Sequence, residues 1–420
     1  LHISASDDAI GVIDLDNVKE TGEITKSPPK KKKKNIIWLI FEKGTFDRPM
    51  FIIIMLLVCI GSVMVFSASY AYALSSSGDS RYFINQQIKF VIAGTIIMLV
   101  ISAVRYQVFK KFTIPIYAVA VGLLLLVLVI GVTEGAAKRW IYLGPISIQP
   151  SEIMKFALIL MLAYYFDKNN KRTDIKGRFW KSTFFSIVIP LFFVAVACLL
   201  IMLENHLSGT IIVFLIGLAV IWAGGGKWEW YLVFGILAIV VIFAVLNFSD
   251  KIFSVFPEYV QRRVDMWLHP ENYSVQDDTW QTVQGKIAVG SGGWFGRGLG
   301  NSLQKHLFVS QPQNDFIFAI VCEELGFVGA VGIMLLYLAF AWRGIYIARR
   351  APDLFSAITV LGIVSHVTIQ AFLNIGVVTG ILPNTGISLP FFSYGGSSLI
   401  ILMAEMGVLL SISKYSKVQG

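Results

Sequence analysis

From residue 50 onward the chain alternates long apolar runs with short polar connections. The runs cover 51–70, 90–104, 112–132, 153–166, 184–202, 210–223, 231–246, 316–342, 357–378 and 399–412, and none carries more than two acidic or basic side chains. A helix crossing a hydrocarbon core of roughly 30 Å needs about 20 apolar residues. The pattern therefore predicts an all-α polytopic membrane protein of about ten transmembrane helices, the shorter runs being completed by their flanks; nine or eleven crossings stay open. A composition 56% hydrophobic and 15% charged, with mean hydropathy +0.70, excludes the alternating surface and core of a water-soluble domain.

The charges orient the helices. Lysines 30–34, Arg105, Lys110 and Lys111, the basic residues between Lys168 and Lys181, and Arg343, Arg349 and Arg350 fall on one side if the helix number is even, whereas 203–209 and 379–390 hold neither Lys nor Arg. Cytoplasmic loops carry the excess of Lys and Arg, so both ends are expected inside. The net charge of +9 is then a topology signal, and nucleic acid is not an expected partner. Residues 1–46 read as a disordered cytoplasmic tail, 47–413 as the membrane domain and 414–420 as a short cytoplasmic tail. The first helix follows a lysine run and ends near Ala71-Tyr72-Ala73, but its apolar run is too long for a cleaved secretory signal and is expected to be retained. Cys59, Cys198 and Cys322 sit in separate apolar runs, which argues against a disulfide framework, and no His pair has zinc-ligand spacing.

Three polar segments share the outer side. The largest is a 247–314 loop between the seventh and eighth helices, containing Arg262, Arg263, Asp265, Asp277, Asp278, Trp280, Gln281, Gln284 and six glycines between 290 and 300. Loops of that length usually carry function. The second runs from Glu134 through Lys138, Arg139 and Trp140 to Ser151 and Glu152; the third, 382–398, contains Ser393. The glycine stretch follows no buried strand and reads as close packing or a hinge, not as a nucleotide fingerprint. No internal repeat supports an inverted-repeat transporter.

Ionisable groups at membrane depth are costly and become functional candidates unless a partner explains them. Glu152 and Lys155, three residues apart, share a helix face, where they form either a structural ion pair or part of a cationic site for a diphosphate together with Arg139 or Lys138. Asp315, where the long loop meets the eighth helix, is either that helix's N-cap or a general base. Phe316 and Phe318 would raise its pKa and the helix dipole would lower it. Glu323, Glu324 and Glu405 read as structural or hydrogen-bonding groups, and His366, Gln370 and Asn374, four apart, as one interhelical hydrogen-bonding face.

These motifs resemble the SEDS family (shape, elongation, division and sporulation), whose members include FtsW, RodA and SpoVE. The resemblance spans 47–413 and rests on four elements. They are Lys138-Arg-Trp-Ile-Tyr-Leu-Gly144 with Gln149-Pro-Ser-Glu-Ile-Met-Lys155; Gly290-Ser-Gly-Gly293 through Gly300-Asn-Ser; Asp315-Phe-Ile-Phe-Ala with Glu323-Glu-Leu-Gly326; and Gly380-Ile-Leu-Pro through Ser398. Asp47-Arg-Pro, Val65-Phe-Ser-Ala-Ser69 and Gly300-Asn-Ser-Leu-Gln-Lys305 look closer to FtsW and SpoVE than to RodA. Two positions depart from the family pattern: Asn314 stands in place of a Thr, and Glu204-Asn-His-Leu-Ser-Gly-Thr210 only loosely matches Pro-Asp-Leu-Gly-Thr.

The resemblance implies a peptidoglycan glycosyltransferase that polymerises lipid II, a disaccharide-pentapeptide on undecaprenyl diphosphate, into β-1,4 glycan at the outer face of the cytoplasmic membrane, in division or sporulation. It implies Asp315 as the catalytic base and Arg139, Trp140, Glu152, Lys155, Gln281, Gln284 and Ser393 as substrate-binding residues. The expected partners are a class B penicillin-binding protein transpeptidase and other division or sporulation membrane proteins. A divalent cation on the diphosphate is compatible with the chemistry, although no ligand cluster for it is visible in the sequence. The competing readings are a flippase for the lipid-linked precursor and a non-catalytic division scaffold.

Overall fold

A computed structural model of the chain describes residues 44–134, 137–143, 146–173, 179–247, 258–273 and 279–416. The expected tail, except 44–46, the lysines at 30–34, Asp277 and Asp278 lie outside these residues. Every apolar run forms a helix: α1 (Arg48–Ser77), α2 (Tyr82–Ala103), α3 (Tyr106–Ile130), α4 (Pro150–Thr173), α5 (Phe179–Leu203), α6 (Leu207–Ala223) and α7 (Trp228–Asn247), then α10 (Ile317–Arg349), α11 (Leu354–Val378) and α12 (Gly396–Ser413). Among the described helices, seven are long and apolar enough to cross a membrane; α4, α6 and α7 fall outside that set. Outward-facing Ile52, Leu56 and Val63 on α1, Ile92 and Ile96 on α2, and Val119 and Val129 on α3 are exposed, as suits helices whose surroundings are lipid.

Local signals set the helix ends. Asp47 caps α1 by accepting from the Met50 amide at 2.8 Å, Pro49 sits in its first turn, and Gly78 closes it in the left-handed region at φ 70°. Asp353 and Ser356 form a reciprocal capping box on α11. A π-helical turn, Phe184–Val188, lies inside α5 just before Pro190. Small residues let helices approach closely: a Cβ on Gly94 would meet Met403 at 3.0 Å, and one on Gly407 would meet the Met98 carbonyl at 2.7 Å, so α2 lies tight along α12.

Two features depart from a purely helical reading with open loops. The 132–148 connection is a three-stranded antiparallel sheet, β1 (Val132–Glu134), β2 (Ala137–Leu143) and β3 (Ile146–Ile148). The segment expected as one long loop contains α8 (Glu258–Leu268) and α9 (Trp280–Ser291), and after α9 it packs back onto α10. There Gly292 lies against the Cys322 backbone and Gly296 against that of Gly326, Arg297 N donates to Glu323 O at 2.9 Å, and Phe327 N donates to Gly293 O at 2.9 Å. Gly326, at φ 67°, breaks α10 at this contact. The glycine stretch thus serves close packing. Glu323 and Glu324 anchor it: Glu323 accepts from Leu303 N at 3.0 Å and from Ser302 Oγ, and Glu324 pairs with Lys305 at 3.0 Å and accepts from Ser67 Oγ at 2.7 Å.

Candidate active site

The start of α10 is held from both sides. Asn374 on α11 donates to the Asp315 carbonyl at 2.8 Å and to the Ile387 carbonyl at 2.6 Å. Ser393 Oγ donates to the Asn314 carbonyl at 2.7 Å and accepts from Leu389 N at 2.7 Å, while Tyr394 N donates to the Gln313 carbonyl at 2.8 Å. The 385–395 loop therefore fixes the turn that presents Asp315. Gly386, at φ +66°, gives the carboxylate room: a Cβ there would lie 3.1 Å from Asp315 Oδ2.

The capping reading of Asp315 does not hold. The N-cap of α10 is Phe316, without a side-chain cap bond, and the Asp315 carboxylate has no hydrogen-bond partner among the described residues. Burial pushes its pKa above the ordinary value of 3.8, with the Arg139 and Arg263 charges pulling the other way.

The carboxylate faces a cavity of about 960 Å³, mouth included, lined by residues from β2, α4, the start of α6, the Asp315 turn, α11, the 386–395 loop and the first turn of α12. Among the expected site residues, Arg139, Trp140, Glu152, Lys155 and Asp315 line it together. Arg139 Nε and Trp140 Nε1 are buried without a hydrogen-bond partner among the described residues, leaving two unmet donors in side chains of the cavity wall. Lys155 Nζ pairs with Glu152 Oε2 at 2.7 Å and donates to Gln370 Oε1 at 2.8 Å. The structural ion pair and the cavity location thus coexist in one pair of residues.

The other expected residues lie elsewhere. Lys138 Nζ donates to the Leu128 and Val129 carbonyls at 2.9 Å, closing the C-terminal end of α3. Gln281 Nε2 donates to the Ser310 carbonyl at 2.8 Å, Gln284 is buried in α9, and neither lines the cavity. Ser393 borders a smaller adjoining cavity with Glu152, His366 and Gln370.

His206, Ser151, Gln149, Tyr394 and Ser398 line the cavity without having been singled out from sequence. The loose Glu204–Thr210 element was the one signal for His206. Burial, reinforced by Arg139, pushes the His206 pKa down to about 3, so the ring is neutral at physiological pH. Behind it Glu204 is buried with both carboxyl oxygens unpartnered among the described residues, and burial pushes its pKa up to about 8 against the pull of Arg139. Among the described residues no group of three or more His, Cys, Asp or Glu side chains is arranged to hold a metal ion.

The chain is similar to known proteins along most of its length. Stage V sporulation protein E of Bacillus subtilis (strain 168) is 38% identical over 379 residues, covering 90% of this chain and 99% of that protein. A probable peptidoglycan glycosyltransferase FtsW of Geobacter sp. (strain M18) is 36% identical over 370 residues, covering 88% and 96%. The crystal structure of the rod shape determining protein RodA of Thermus thermophilus superposes with a TM-score of 0.63 at 25% identity, covering 89% of this chain and 98% of that one. A chain from a peptidoglycan synthase complex that couples polymerization and crosslinking shares the fold with a TM-score of 0.69 at 24% identity, covering 88% and 97%. The family model described as cell cycle protein, FtsW/RodA/SpoVE, matches residues 47–418, and the chain belongs to this family.

Proposed function

We propose that the chain is a peptidoglycan glycosyltransferase that polymerises lipid II from the outer face of the cytoplasmic membrane, working beside a class B penicillin-binding protein. The observation that carries this reading is one cavity holding an unpartnered carboxylate, Asp315, together with two cations, Arg139 and Lys155. Each has a separate task. The acceptor sugar hydroxyl attacks the anomeric carbon of the donor and gives its proton to Asp315. The bond from that carbon to the diphosphate oxygen breaks, and the diphosphate leaves with the electron pair. Arg139 and Lys155 meet the charge that develops on it, in surroundings where a cation acts more strongly than in water. A single displacement turns an α-linked donor into a β-linked product. Trp140, with its free indole N–H, and the neutral His206 are placed to hold sugar hydroxyls.

With ten crossings, the basic loops at the ends of the helices opposite the cavity lie in the cytoplasm and the cavity lies outside. The test is polymerisation of purified lipid II by the purified chain. Asp315→Asn keeps the shape and removes the base, and is expected to abolish polymer formation while the protein still inserts and folds. Full activity in that variant removes the base assignment. Movement of labelled precursor across vesicles without polymer favours the flippase, and complementation by Asp315→Asn in a deletion strain favours the scaffold.

A further inference from the structure

Along one wall of the cavity, through Lys155, Gln370 and Ser388, and behind it, through His366 and Glu405, a line of hydrogen bonds joins three helices to the 382–395 loop. Lys155 Nζ on α4 donates to Gln370 Oε1 on α11 at 2.8 Å, and His366 Nε2, one turn away, meets the same oxygen at 3.1 Å. Gln370 Nε2 donates to the Ser388 carbonyl at 3.0 Å and to Ser388 Oγ at 3.1 Å. His366 Nδ1 meets Glu405 Oε2 on α12 at 2.9 Å. Every member except Ser388 is nearly or fully buried, apart from Glu152, which keeps a small exposed edge beside Lys155.

Around Gln370 the donors and acceptors have one consistent assignment, while the proton between His366 Nδ1 and Glu405 sits on either partner. The Ser388 carbonyl can only accept, so the amide nitrogen of Gln370 faces it and the amide oxygen faces Lys155. That oxygen accepts twice, which puts a hydrogen on His366 Nε2. Glu405 then holds His366 Nδ1 and fixes the ring. A lysine ammonium has three N–H donors. Glu152 and Gln370 take two, and the described residues supply no acceptor for the third, in a side chain that lines the cavity and is otherwise buried. Glu152 alone would leave the ammonium free to collapse onto its carboxylate; the Gln370 carbonyl holds it from a second direction.

We infer that Gln370, braced by His366, Glu405 and Ser388, is a positioning residue that aims the spare N–H of Lys155 at the leaving diphosphate. Although it lines the cavity, both ends of its amide are taken by Lys155, His366 and Ser388, so it acts through Lys155. The inference rests on the proposed glycosyl transfer for the identity of the anion, while the positioning itself rests on the distances above.

The test is a double-mutant cycle on the full-length purified chain, with Lys155→Met, Gln370→Met and the double variant. In lipid II polymerisation each single variant is expected to lose about tenfold or more in kcat with the KM for lipid II changed by less than about threefold, because the charge on the diphosphate grows only toward the transition state. The double variant is expected to be no slower than Lys155→Met, since Gln370 has nothing left to position. Gln370→Glu, which keeps an acceptor toward Lys155 and His366, is expected to retain more activity than Gln370→Met. If Gln370→Met does not purify folded, Gln370→Asn, a methylene too short to reach Lys155, takes its place in the cycle.

Losses that multiply in the double variant, or wild-type activity in Gln370→Met, overturn the inference. The same cycle is read by affinity for undecaprenyl diphosphate in detergent, followed by Trp fluorescence. There both single variants are expected to bind more weakly and the double no more weakly than Lys155→Met. If the wild type binds this diphosphate yet makes no polymer, the proposed function fails and the binding cycle still decides the role of Gln370.

Discussion

Asp315 and Glu204 are both carboxylates pushed above their ordinary range by burial near Arg139, but only Asp315 faces the cavity. For a base, the consequence appears in the rate. Activity is expected to fall as pH drops through the Asp315 pKa, with the acid limb of the kcat/KM profile above the ordinary 3.8. For Glu204 the consequence is stability. The folded chain keeps a proton on Glu204 up to about pH 8 that the unfolded chain sheds near 4.5, so stability drops as pH rises through that window and levels off above it. Glu204→Gln carries no such proton. Its melting temperature relative to wild type is expected to be flat below the window and to climb through it, measured by differential scanning fluorimetry in detergent; a difference that does not change with pH counts against a protonated Glu204. Sequence reasoning could find Asp315, Arg139 and Lys155, because an ionisable residue beside an apolar run declares itself. It could not separate the two readings of Asp315, since capping depends on where the backbone N–H groups of α10 point. Gln370 was legible with His366 and Asn374 as one interhelical hydrogen-bonding face, but not its partner Lys155, which lies 215 residues away on α4.

At the scale of elements the ten helices were legible, as each is a run of apolar residues bounded by polar ones, while the packing of the connections was not. The strands of the small sheet are only three to seven residues long, too short for an alternating pattern to register. The return of the 292–305 segment onto α10 depends on contacts such as Lys305 with Glu324 and Ser302 with Glu323, which no local period encodes. That return makes a strong prediction. Glu324 and Lys305 are both almost wholly buried, so Lys305→Met leaves an uncompensated carboxylate and is expected to cost about 3–5 kcal/mol. Adding Glu324→Gln removes the stranded charge and should recover much of the loss in thermal stability. A Lys305→Met protein as stable as wild type would mean that the pair does not fasten the segment. Gly292→Ala attacks the same contact sterically, because the new Cβ would lie 1.9 Å from the Cys322 carbonyl oxygen. Its expected cost is about 1–3 kcal/mol or more, with no change in charge.

The molecule as a whole has two chemically different ends. At one, Lys110 lies 2.7 Å from Asp167 and 3.6 Å from Asp353, Arg343 grips Asp47 at 2.7 Å, and Lys227 donates to the Phe179 carbonyl at 3.2 Å. At the other lie the small sheet, the Asp315 turn and the open cavity. Each ion pair at the basic end joins elements far apart in sequence, so that end acts as a set of clasps, while the cavity end keeps donors without partners for a ligand. Lys and Arg are retained on the cytoplasmic side of bilayers, so the proposed function expects the clasped end inside and the cavity outside. On that proposal a lipid-linked sugar approaches from the outer leaflet, and Asp315 releases its proton to the outside. Single cysteines in a background lacking Cys59, Cys198 and Cys322 test this arrangement. Gln311 lines the cavity and Asn170 is exposed near the far end of α4. On intact cells a membrane-impermeant maleimide is expected to label Gln311→Cys and to reach Asn170→Cys only after permeabilisation. The opposite result would turn the cavity toward the cytoplasm, where glycan polymerised in it would be sealed off from the wall it is meant to build.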